Sequence, residues 1–206
     1  MKKSLVEMWK KDGTVKDKRI LKAFKEIPRE RFIHEELVAD AYEDSPLPIG
    51  YGQTISQPTT IMIMIEALEL KKTDKVLEVG AGSGYNAALM SRLCKKVYTV
   101  EIVPELVHFA RENLKTCGIR NVEVIGGDGS TGYEPEAPYD KIMITAGCPT
   151  IPKPIIDQLK DGGIIVAPVG SRWEQEMAKL KKVKGKLEKE NLGYFVFVPL
   201  IGRYGH

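Results

Sequence analysis

The sequence predicts an α/β fold with a doubly wound, mostly parallel sheet, preceded by a helical N-terminal region and followed by a C-terminal antiparallel strand pair. From Asp74 onward, short apolar runs alternate with amphipathic segments, as expected where helices connect parallel strands. Before that point, apolar residues recur at helical spacing. Near the end, from Glu176 to Leu200, strand-like segments flank a turn at Lys184 and Gly185, which favours an antiparallel pair.

The N-terminal region contains three predicted helices and one long loop. Residues 17–27 carry an apolar stripe at helical spacing, and a shorter helix is expected at 34–42. Prolines and glycines crowd residues 45–56 and exclude a helix there, so this segment is expected to be a shaped loop. Pro58 suits the first turn of a helix, and the apolar stretch 61–70 predicts that this helix is buried. We interpret the whole region as a lid.

The central part of the chain supplies the sheet and its connections. The predicted strands are Lys75–Val79, Lys96–Val100, Asn121–Ile125, Tyr139–Thr145 and Gly162–Val169. The predicted helices between them are Tyr85–Cys94, Pro104–Thr116 and Lys153–Leu159. Strands of this type are expected to be covered by helices on both faces. A terminal strand is expected at Tyr194–Leu200.

Composition indicates a globular protein without a nucleic-acid or membrane partner. Of the 206 residues, 43% are hydrophobic and 29% charged, and the net charge is +3, so no domain-wide basic stripe is implied. Cys94, Cys117 and Cys148 lie far apart and predict free thiols in a reducing cytoplasm. Residues 1–11 mix lysine and glutamate and do not form a secretory signal, and the apolar stretch 61–70 is too short to span a bilayer. We therefore expect a cytoplasmic location.

A glycine-rich turn follows the first predicted strand of the sheet. Gly80, Gly82 and Gly84 come directly after Lys75–Val79 and before a helix-forming segment. Glycine permits backbone conformations and close approaches that a Cβ would block, and the helix start offers unpaired N–H groups. The third glycine comes one place too early for the dinucleotide-binding pattern, and Glu78 precedes the turn. The spacing favours a cationic or neutral ligand.

Two further acids are predicted at the same edge of the sheet. Glu101 lies 21 residues after Gly80, at the end of the second strand, where an acid can accept hydrogen bonds from both hydroxyls of a ribose. Asp128 follows the third strand within Gly-Gly-Asp-Gly, where its carboxylate can accept from an adenine amino group. Because ligands of open α/β sheets bind at the carboxyl ends of the strands, Glu78, Glu101 and Asp128 are expected to form one site.

The order Glu78-Val79-Gly80-x-Gly82-x-Gly84 resembles the first motif of class I methyltransferases, which use S-adenosylmethionine. A longer set of segments resembles one family, the protein-L-isoaspartate (D-aspartate) O-methyltransferases, over residues 20 to 200. These segments are Ile27–Phe32, Ala41–Asp44, Pro46–Gly50, Gly52–Pro58, Val76–Ala88, Gly127–Gly129, Ala137–Asp140, Gln158–Gly163, Pro168–Gly170 and Phe197–Leu200. The run Gly52-Gln53-Thr54-Ile55-Ser56 is the most diagnostic of them.

The resemblance implies methyl esterification of the free α-carboxylate of L-isoaspartyl residues in damaged proteins and peptides, which starts repair through a succinimide. It implies a Rossmann-like methyltransferase fold in one domain, with a lid region (1–72), a cofactor-binding core (73–170) and C-terminal strands (171–206). It implies S-adenosyl-L-methionine as cofactor and S-adenosyl-L-homocysteine as product. No metal is expected, because neither Thr145–Pro149 nor residues 45–56 supply a convincing set of acidic ligands, and we expect a monomer.

By motif position, Ser56 matches the active-site serine of the family. The other residues that the resemblance assigns to substrate binding are Gln53, Thr54 and Ile55, and those it assigns to the cofactor are Glu78, Gly80, Ala81, Gly82, Gly84, Tyr85, Asn86, Glu101, Ile102, Asp128 and Gly129. Thr59 and Thr60 depart from the pattern of the family, which commonly has an imidazole or aromatic residue and then methionine after Pro58, at an expected wall of the cofactor pocket.

Two alternatives stay open from the sequence. One is a class I methyltransferase acting on a small molecule or RNA, although Thr145–Pro149 lacks the Asn/Asp-Pro-Pro-aromatic run of many nucleic-acid amino-methyltransferases. The other is a module that binds the cofactor without transferring its methyl group.

Overall fold

Three helices and a hairpin form the N-terminal part of the computed structural model, which describes all of residues 1–206. In chain order they are α1 (Lys2–Asp12), α2 (Lys18–Glu26), β1 (Leu47–Gly50), β2 (Gln53–Ile55) and α3 (Pro58–Leu68), with 3-10 turns at Arg29–Phe32 and Glu35–Asp40. Asp17 caps α2, because its carboxylate accepts the N–H of Arg19 at 2.8 Å. Pro58 occupies the first turn of α3, where no backbone N–H is needed.

The rest of the chain forms a seven-stranded sheet and its helices. The strands are β3 (Lys75–Val79), β4 (Lys96–Glu101), β5 (Val122–Gly126), β6 (Tyr139–Ile144), β7 (Leu159–Gly170), β8 (Gln175–Val183) and β9 (Lys186–Phe195). The helices are α4 (Tyr85–Ser91), α5 (Pro104–Thr116) and α6 (Lys153–Asp157), with 3-10 turns at Gly129–Thr131 and Glu134–Glu136.

The sheet has the order β5-β4-β3-β6-β7-β8-β9. Strands β3 to β7 pair in parallel, whereas β8 and β9 add antiparallel to the edge at β7. The chain runs from β3 outward to β5 and then returns to place β6 on the other side of β3. The strand order therefore reverses between β3 and β6, and a crevice opens at the carboxyl ends of these two strands, where open α/β sheets bind ligands.

The N-terminal helices share a core with the sheet. The larger of two buried apolar clusters extends from Leu5 in α1 to Phe197 after β9. Within it the rings of Trp9 and Phe24 meet edge to face with centroids 4.8 Å apart. The indole N–H of Trp9 also donates to Thr59 Oγ1 at 2.8 Å, and Thr59 Oγ1 donates to the Asp44 carboxylate at 2.7 Å. These contacts fix the N-terminal region against the start of α3.

The predicted architecture is confirmed: a mostly parallel sheet with helices, a helical N-terminal region and a C-terminal antiparallel strand pair. Strand 75–79 and helix 104–116 coincide with β3 and α5. The division of the chain into regions 1–72, 73–170 and 171–206 of one domain stays a prediction. None of the helices combines the length and the apolar character that crossing a membrane requires.

Three local predictions are wrong. The segment 45–56 is not an irregular loop, because β1 and β2 pair within it around a turn in which Tyr51 has a φ of 54°. The expected helix at 34–42 is a 3-10 turn over Glu35–Asp40 with no buried residue, so no apolar face holds a longer helix there. The last strand ends at Phe195, and residues 196–200 belong to no strand, apart from a single bridge from Pro199 to Gly147.

Candidate active site

A cavity of about 740 Å³, counted to its open mouth, lies at the carboxyl edge of the sheet beside β3, β4 and β6. The lining combines the hairpin, the glycine turn, the ends of the strands and the segment after β9. The lining residues are Gln53–Ser56, Val79–Ser83, Tyr85, Asn86, Val100–Val103, Gly129, Thr145, Ala146 and Val198–Ile201.

The glycine turn places backbone directly against the cavity. Gly80 has a φ of +95°, and a Cβ there would overlap Thr145 Oγ1. That hydroxyl lies 2.9 and 2.7 Å from the carbonyl oxygens of Val79 and Gly80, which share its single proton, so the end of β6 and the turn are tied together. Gly84, with a φ of +87°, lies away from the lining, and a Cβ there would be 3.3 Å from Ala110 in α5. The third glycine therefore serves helix packing.

Glu101 holds its carboxylate at the cavity through two backbone hydrogen bonds. Oε2 accepts the N–H of Gly82 at 2.8 Å, and Oε1 accepts the N–H of Val103 at 3.0 Å. The residue is buried but lines the cavity. Each carboxylate oxygen has a second lone pair, so the pre-oriented group retains acceptor capacity for hydroxyl donors of a ligand.

Glu78 lies beneath the cavity and not in its wall. It is fully buried, Thr99 Oγ1 donates to its Oε2 at 2.6 Å, and its Oε1 has no hydrogen-bond partner. Burial, reinforced by the nearby charge of Glu101, raises the pKa of the Glu78 carboxyl to about 8. The structure thus brings Glu78 and Glu101 close together, but only Glu101 lines the cavity and is accessible to a ligand.

Asp128 lies outside the cavity lining, whereas its neighbour Gly129 lies within it. Asp128 Oδ1 accepts from the N–H and the hydroxyl of Ser130, at 2.9 and 2.6 Å, and Oδ2 accepts from the backbone N–H of Arg203 at 2.8 Å. Its pKa is lowered, because these hydrogen bonds outweigh the opposing effect of burial, which is the largest single contribution. The carboxylate anchors the C-terminal tail, which carries Ile201 into the cavity wall.

The predicted substrate residues lie on the hairpin and directly after it. Gln53, Thr54 and Ile55 form β2, Ser56 follows, and all four line the cavity. Ile55 is buried, whereas Thr54 is exposed and Ser56 half-buried. The hairpin also contacts the glycine turn: a Cβ at Gly82 would lie 3.3 Å from Ile49 Cδ1. The lid therefore rests on the turn.

A groove of about 940 Å³, counted to its open mouth, adjoins the cavity. Thr54, Ser56, Thr145 and Val198 line both. The remaining wall of the groove is formed by Pro46, Gln57, Thr60 and Tyr194–Phe197, of which Tyr194 and Val196 are largely exposed. Thr60 thus lines the groove, and Thr59 binds Asp44, so neither forms a wall of the cavity.

Several lining residues were missed by sequence reasoning. Val198–Ile201 reach the cavity because Gly147 N–H donates to the Val198 carbonyl and the Leu200 N–H donates to the Gly147 carbonyl, both at 2.8 Å. The sequence predicts a terminal strand at Tyr194–Leu200, which by itself does not indicate that the segment lines the cavity. Thr145 has a signal in the sequence, since it follows β6 at the same edge as Gly80 and Glu101.

The predicted site residues divide into two groups. Those that line the cavity are Gln53, Thr54, Ile55, Ser56, Gly80, Ala81, Gly82, Tyr85, Asn86, Glu101, Ile102 and Gly129. Glu78, Gly84 and Asp128 lie behind the lining and support it. No group of three or more His, Cys, Asp or Glu side chains is arranged to hold a metal ion; the absence of a metal stays a prediction.

Comparisons with known proteins agree with this geometry. The family model of protein-L-isoaspartate(D-aspartate) O-methyltransferase matches residues 1–205. A protein-L-isoaspartate O-methyltransferase of Methanoculleus marisnigri is 50% identical over 204 residues, which cover 99% of this chain and 93% of the relative. The enzyme of the same name from Pyrococcus abyssi is 47% identical over 206 residues, covering 98% and 95%.

Solved structures give the same result. A structure named protein-L-isoaspartate O-methyltransferase superposes with a TM-score of 0.90 at 34% identity, covering 100% of this chain and 67% of that one. A Plasmodium falciparum structure described by the same enzyme name, in complex with S-adenosyl-L-homocysteine, has a TM-score of 0.83 at 27% identity and 97% coverage of both chains. With the family model matching nearly the whole sequence, this chain belongs to the protein-L-isoaspartate (D-aspartate) O-methyltransferase family.

Proposed function

We propose that the protein transfers the methyl group of S-adenosylmethionine to the free α-carboxylate of L-isoaspartyl residues in damaged proteins and peptides. The ester formed then leads through a succinimide back towards a normal peptide bond. The observation that carries this proposal is the meeting of cavity and groove at Thr54, Ser56, Thr145 and Val198. A cofactor in the cavity and a polypeptide in the adjoining groove would have their reacting groups at this junction.

The residues of the cavity fit the adenosyl cofactor. The carboxylate of Glu101 is pre-oriented by two N–H groups and has lone pairs for ribose hydroxyls. The backbone of Gly80 to Gly82 lines the cavity without a Cβ at Gly80, where one would strike Thr145. Ile102 and Gly129 supply an apolar wall and a backbone surface on either side. When bound, the cofactor supplies an activated methyl group.

Glu78, Gly84 and Asp128 act behind this wall. Glu78 holds Thr99 within the sheet, Gly84 lets α4 and α5 pack closely, and Asp128 fixes the tail that carries Ile201. Tyr85 and Asn86 extend the lining from the start of α4. These roles explain how all of the residues assigned to the cofactor contribute, although only some of them would contact it.

The substrate needs no catalytic base. An α-carboxyl has a reference pKa near ~3.5, so the nucleophile is already ionised at neutral pH. The protein has to orient it, and orientation of reacting groups contributes about 7–11 kcal/mol in favourable cases. The Ser56 hydroxyl, which lines both the cavity and the groove, would donate to the carboxylate. Val198 and the apolar groove residues beside it would exclude water from the junction.

The cellular setting proposed here follows from the same features. The three cysteines are free thiols, in agreement with a reducing compartment such as the cytoplasm. We expect a monomer whose partners are proteins and peptides that contain isoaspartate, and no nucleic-acid partner.

A comparison of two peptides tests the proposal. Purified protein is incubated with methyl-labelled S-adenosylmethionine and either an isoaspartyl peptide or its normal aspartyl twin. Base-labile label is expected only in the isoaspartyl peptide. Equal labelling of both peptides, or of neither, would reject the proposal. Parallel incubations with RNA and with small carboxylic acids identify a different acceptor, and cofactor binding without labelling of any acceptor identifies a binding module.

A further inference from the structure

Arg29 is a fully buried cation next to the proposed reaction site. It begins the turn Arg29–Phe32 and has no exposed surface. Its Nη2 donates to the carbonyl oxygen of Ser56 at 2.8 Å, and its guanidinium carbon lies 5.2 Å from the centre of the Tyr85 ring. One side chain therefore contacts both the serine of the substrate junction and an aromatic residue of the cavity wall.

The charge of Arg29 has no carboxylate partner within the protein. None of the salt bridges in the structure includes Arg29, and its Nε and Nη1 have no hydrogen-bond partner. The nearest acids are engaged elsewhere, because Asp44 accepts from Thr59 and Glu30 accepts from the Tyr42 hydroxyl. Burial lowers the pKa of Arg29 to about 10, which leaves it charged at neutral pH. A buried charge without a counter-charge is costly to the fold, and because Arg29 lines neither the cavity nor the groove, a ligand anion would compensate this charge through space, across Ser56.

We propose that Arg29 is a positioning residue that fixes the Ser56 carbonyl and supplies the positive potential that binds the substrate carboxylate. This inference rests on the proposed function. Methyl transfer makes the substrate neutral, because a carboxylate oxygen bonds to carbon while the carbon–sulfur bond breaks with its electron pair left on sulfur. The positive potential of Arg29 therefore strengthens binding of the anionic substrate relative to binding of the neutral ester. We expect Arg29 to affect substrate binding and not the rate of the chemical step.

Three substitutions separate charge from hydrogen bonding. Arg29→Met removes both, Arg29→Gln keeps N–H donors without charge, and Arg29→Lys keeps the charge and N–H donors in a compact ammonium group. We expect KM for an isoaspartyl peptide to rise on the order of tenfold in the Met and Gln variants, with kcat changed less than about threefold, and to recover in the Lys variant. Cofactor affinity, measured by calorimetry, should stay within about twofold of wild type, because the guanidinium acts on the anion.

A neutral inhibitor isolates the charge effect. The probe is the same peptide with the isoaspartyl α-carboxylate replaced by a carboxamide. Wild type should bind the carboxylate more tightly than the carboxamide, and Arg29→Met should lose this preference. Lys141→Met is the matched control, because Lys141 is also buried but lies on β6 beside Val76, towards the opposite edge of the sheet. It should keep the preference. If Arg29→Met does not fold, Arg29→Gln provides the uncharged comparison.

The outcomes distinguish the two proposals. Wild-type protein that fails to methylate the isoaspartyl peptide refutes the proposed function. Wild-type activity with an unchanged KM and an unchanged carboxylate preference in Arg29→Met refutes only the role of Arg29. Loss of kcat in all three variants, the Lys variant included, would assign Arg29 a purely structural part and would also overturn the inference.

Discussion

Glu101 and Gly82 are joined by a hydrogen bond from the backbone N–H of Gly82 to Oε2 of Glu101, 2.8 Å long, across 19 positions of the sequence. The other carboxylate oxygen accepts the N–H of Val103. The end of β4 and the glycine turn after β3 are therefore one unit, in which the acid that would bind the ribose also sets the backbone of the turn. Substitutions of Glu101 should therefore disturb both the contact with the ribose and the backbone of the glycine turn.

Glu101→Gln should weaken cofactor binding more than the loss of one ligand contact would. Its amide NH₂ group cannot accept, so either Gly82 or Val103 loses its partner. Because hydrogen bonds to charged groups contribute about 1.5–3 kcal/mol, we expect the cofactor Kd to rise by about tenfold or more. Calorimetric titration checks this, with Glu112→Gln on the exposed face of α5 as control. Equal Kd values for both variants would contradict the assignment.

Gly80→Ala should destabilise the fold and abolish cofactor binding. The added methyl group would overlap Thr145 Oγ1 at a φ of +95°, which L side chains rarely adopt. Gly118 has a φ of +65° and open space around it, so Gly118→Ala measures only the destabilisation caused by placing an alanine at positive φ. Adding Thr145→Ala to Gly80→Ala should recover part of the lost stability, because the overlap disappears. Urea denaturation of Gly80→Ala, Thr145→Ala, the double variant and Gly118→Ala tests this, and strict additivity of the first two in the double variant would refute the steric explanation.

Glu78→Gln should change the pH dependence of stability. Burial raises the pKa of Glu78 from an ordinary 4.5 to about 8, so between these values the folded protein holds the proton more tightly than the unfolded chain. The contribution of Glu78 to the free energy of unfolding of wild type therefore decreases as the pH rises from the lower to the higher of these pKa values, and it is constant at higher pH.

Residue 78 does not titrate in the Gln variant. Between pH 5 and pH 8.5, the free energy of unfolding of this variant should therefore rise relative to that of wild type by on the order of 2–4 kcal/mol. Urea denaturation of the ligand-free protein at both pH values measures the difference. Glu112→Gln, whose parent side chain is exposed, should follow wild type. A difference in the free energy of unfolding between Glu78→Gln and wild type that is the same at both pH values would contradict the raised pKa of Glu78.

Ser56→Ala should lower kcat/KM for the isoaspartyl peptide by roughly tenfold to a hundredfold, the usual cost of a hydrogen bond to a charged group. Cofactor affinity should be nearly unchanged, because the hydroxyl would contact the substrate. Single-turnover labelling and calorimetry separate the two effects. Ser4→Ala, at an exposed serine in α1, is the control. Turnover of Ser56→Ala at the parental rate would remove this serine from the mechanism.

Asp128→Ala should raise the cofactor Kd through the C-terminal tail. It removes the acceptor of the Arg203 N–H and both contacts with Ser130, which together fix the segment after Ile201. We expect about a fivefold to tenfold weaker Kd and faster proteolysis of the tail. Arg203→Ala should match wild type, because the main-chain N–H is retained. A weaker Kd with an unchanged rate of tail cleavage would instead favour direct contact between Asp128 and the cofactor.

How far the sequence predicts the molecule depends on how local the responsible interactions are. The alternation of apolar strands and amphipathic helices predicts β3 to β7 closely, since buried parallel strands have to be apolar along their whole length. Gly80 and Glu101 were predictable for a related reason: each directly follows or ends a strand, and parallel strands end at one edge of the sheet. The family motifs add Ser56, which local patterns alone do not distinguish from a turn-forming serine.

Other parts of the site were decided by contacts between distant residues. Asp128 accepts a hydrogen bond from Arg203, which lies 75 positions later in the sequence, and Arg29 donates one to Ser56, which lies 27 positions later. The hairpin at 47–55 is rich in turn-forming residues, and its pairing is seen only once it packs on Gly82. Local propensity fixes which segments can become strands and turns, but burial and hydrogen bonding between separated segments decide which side chains face a ligand and which support the wall behind it.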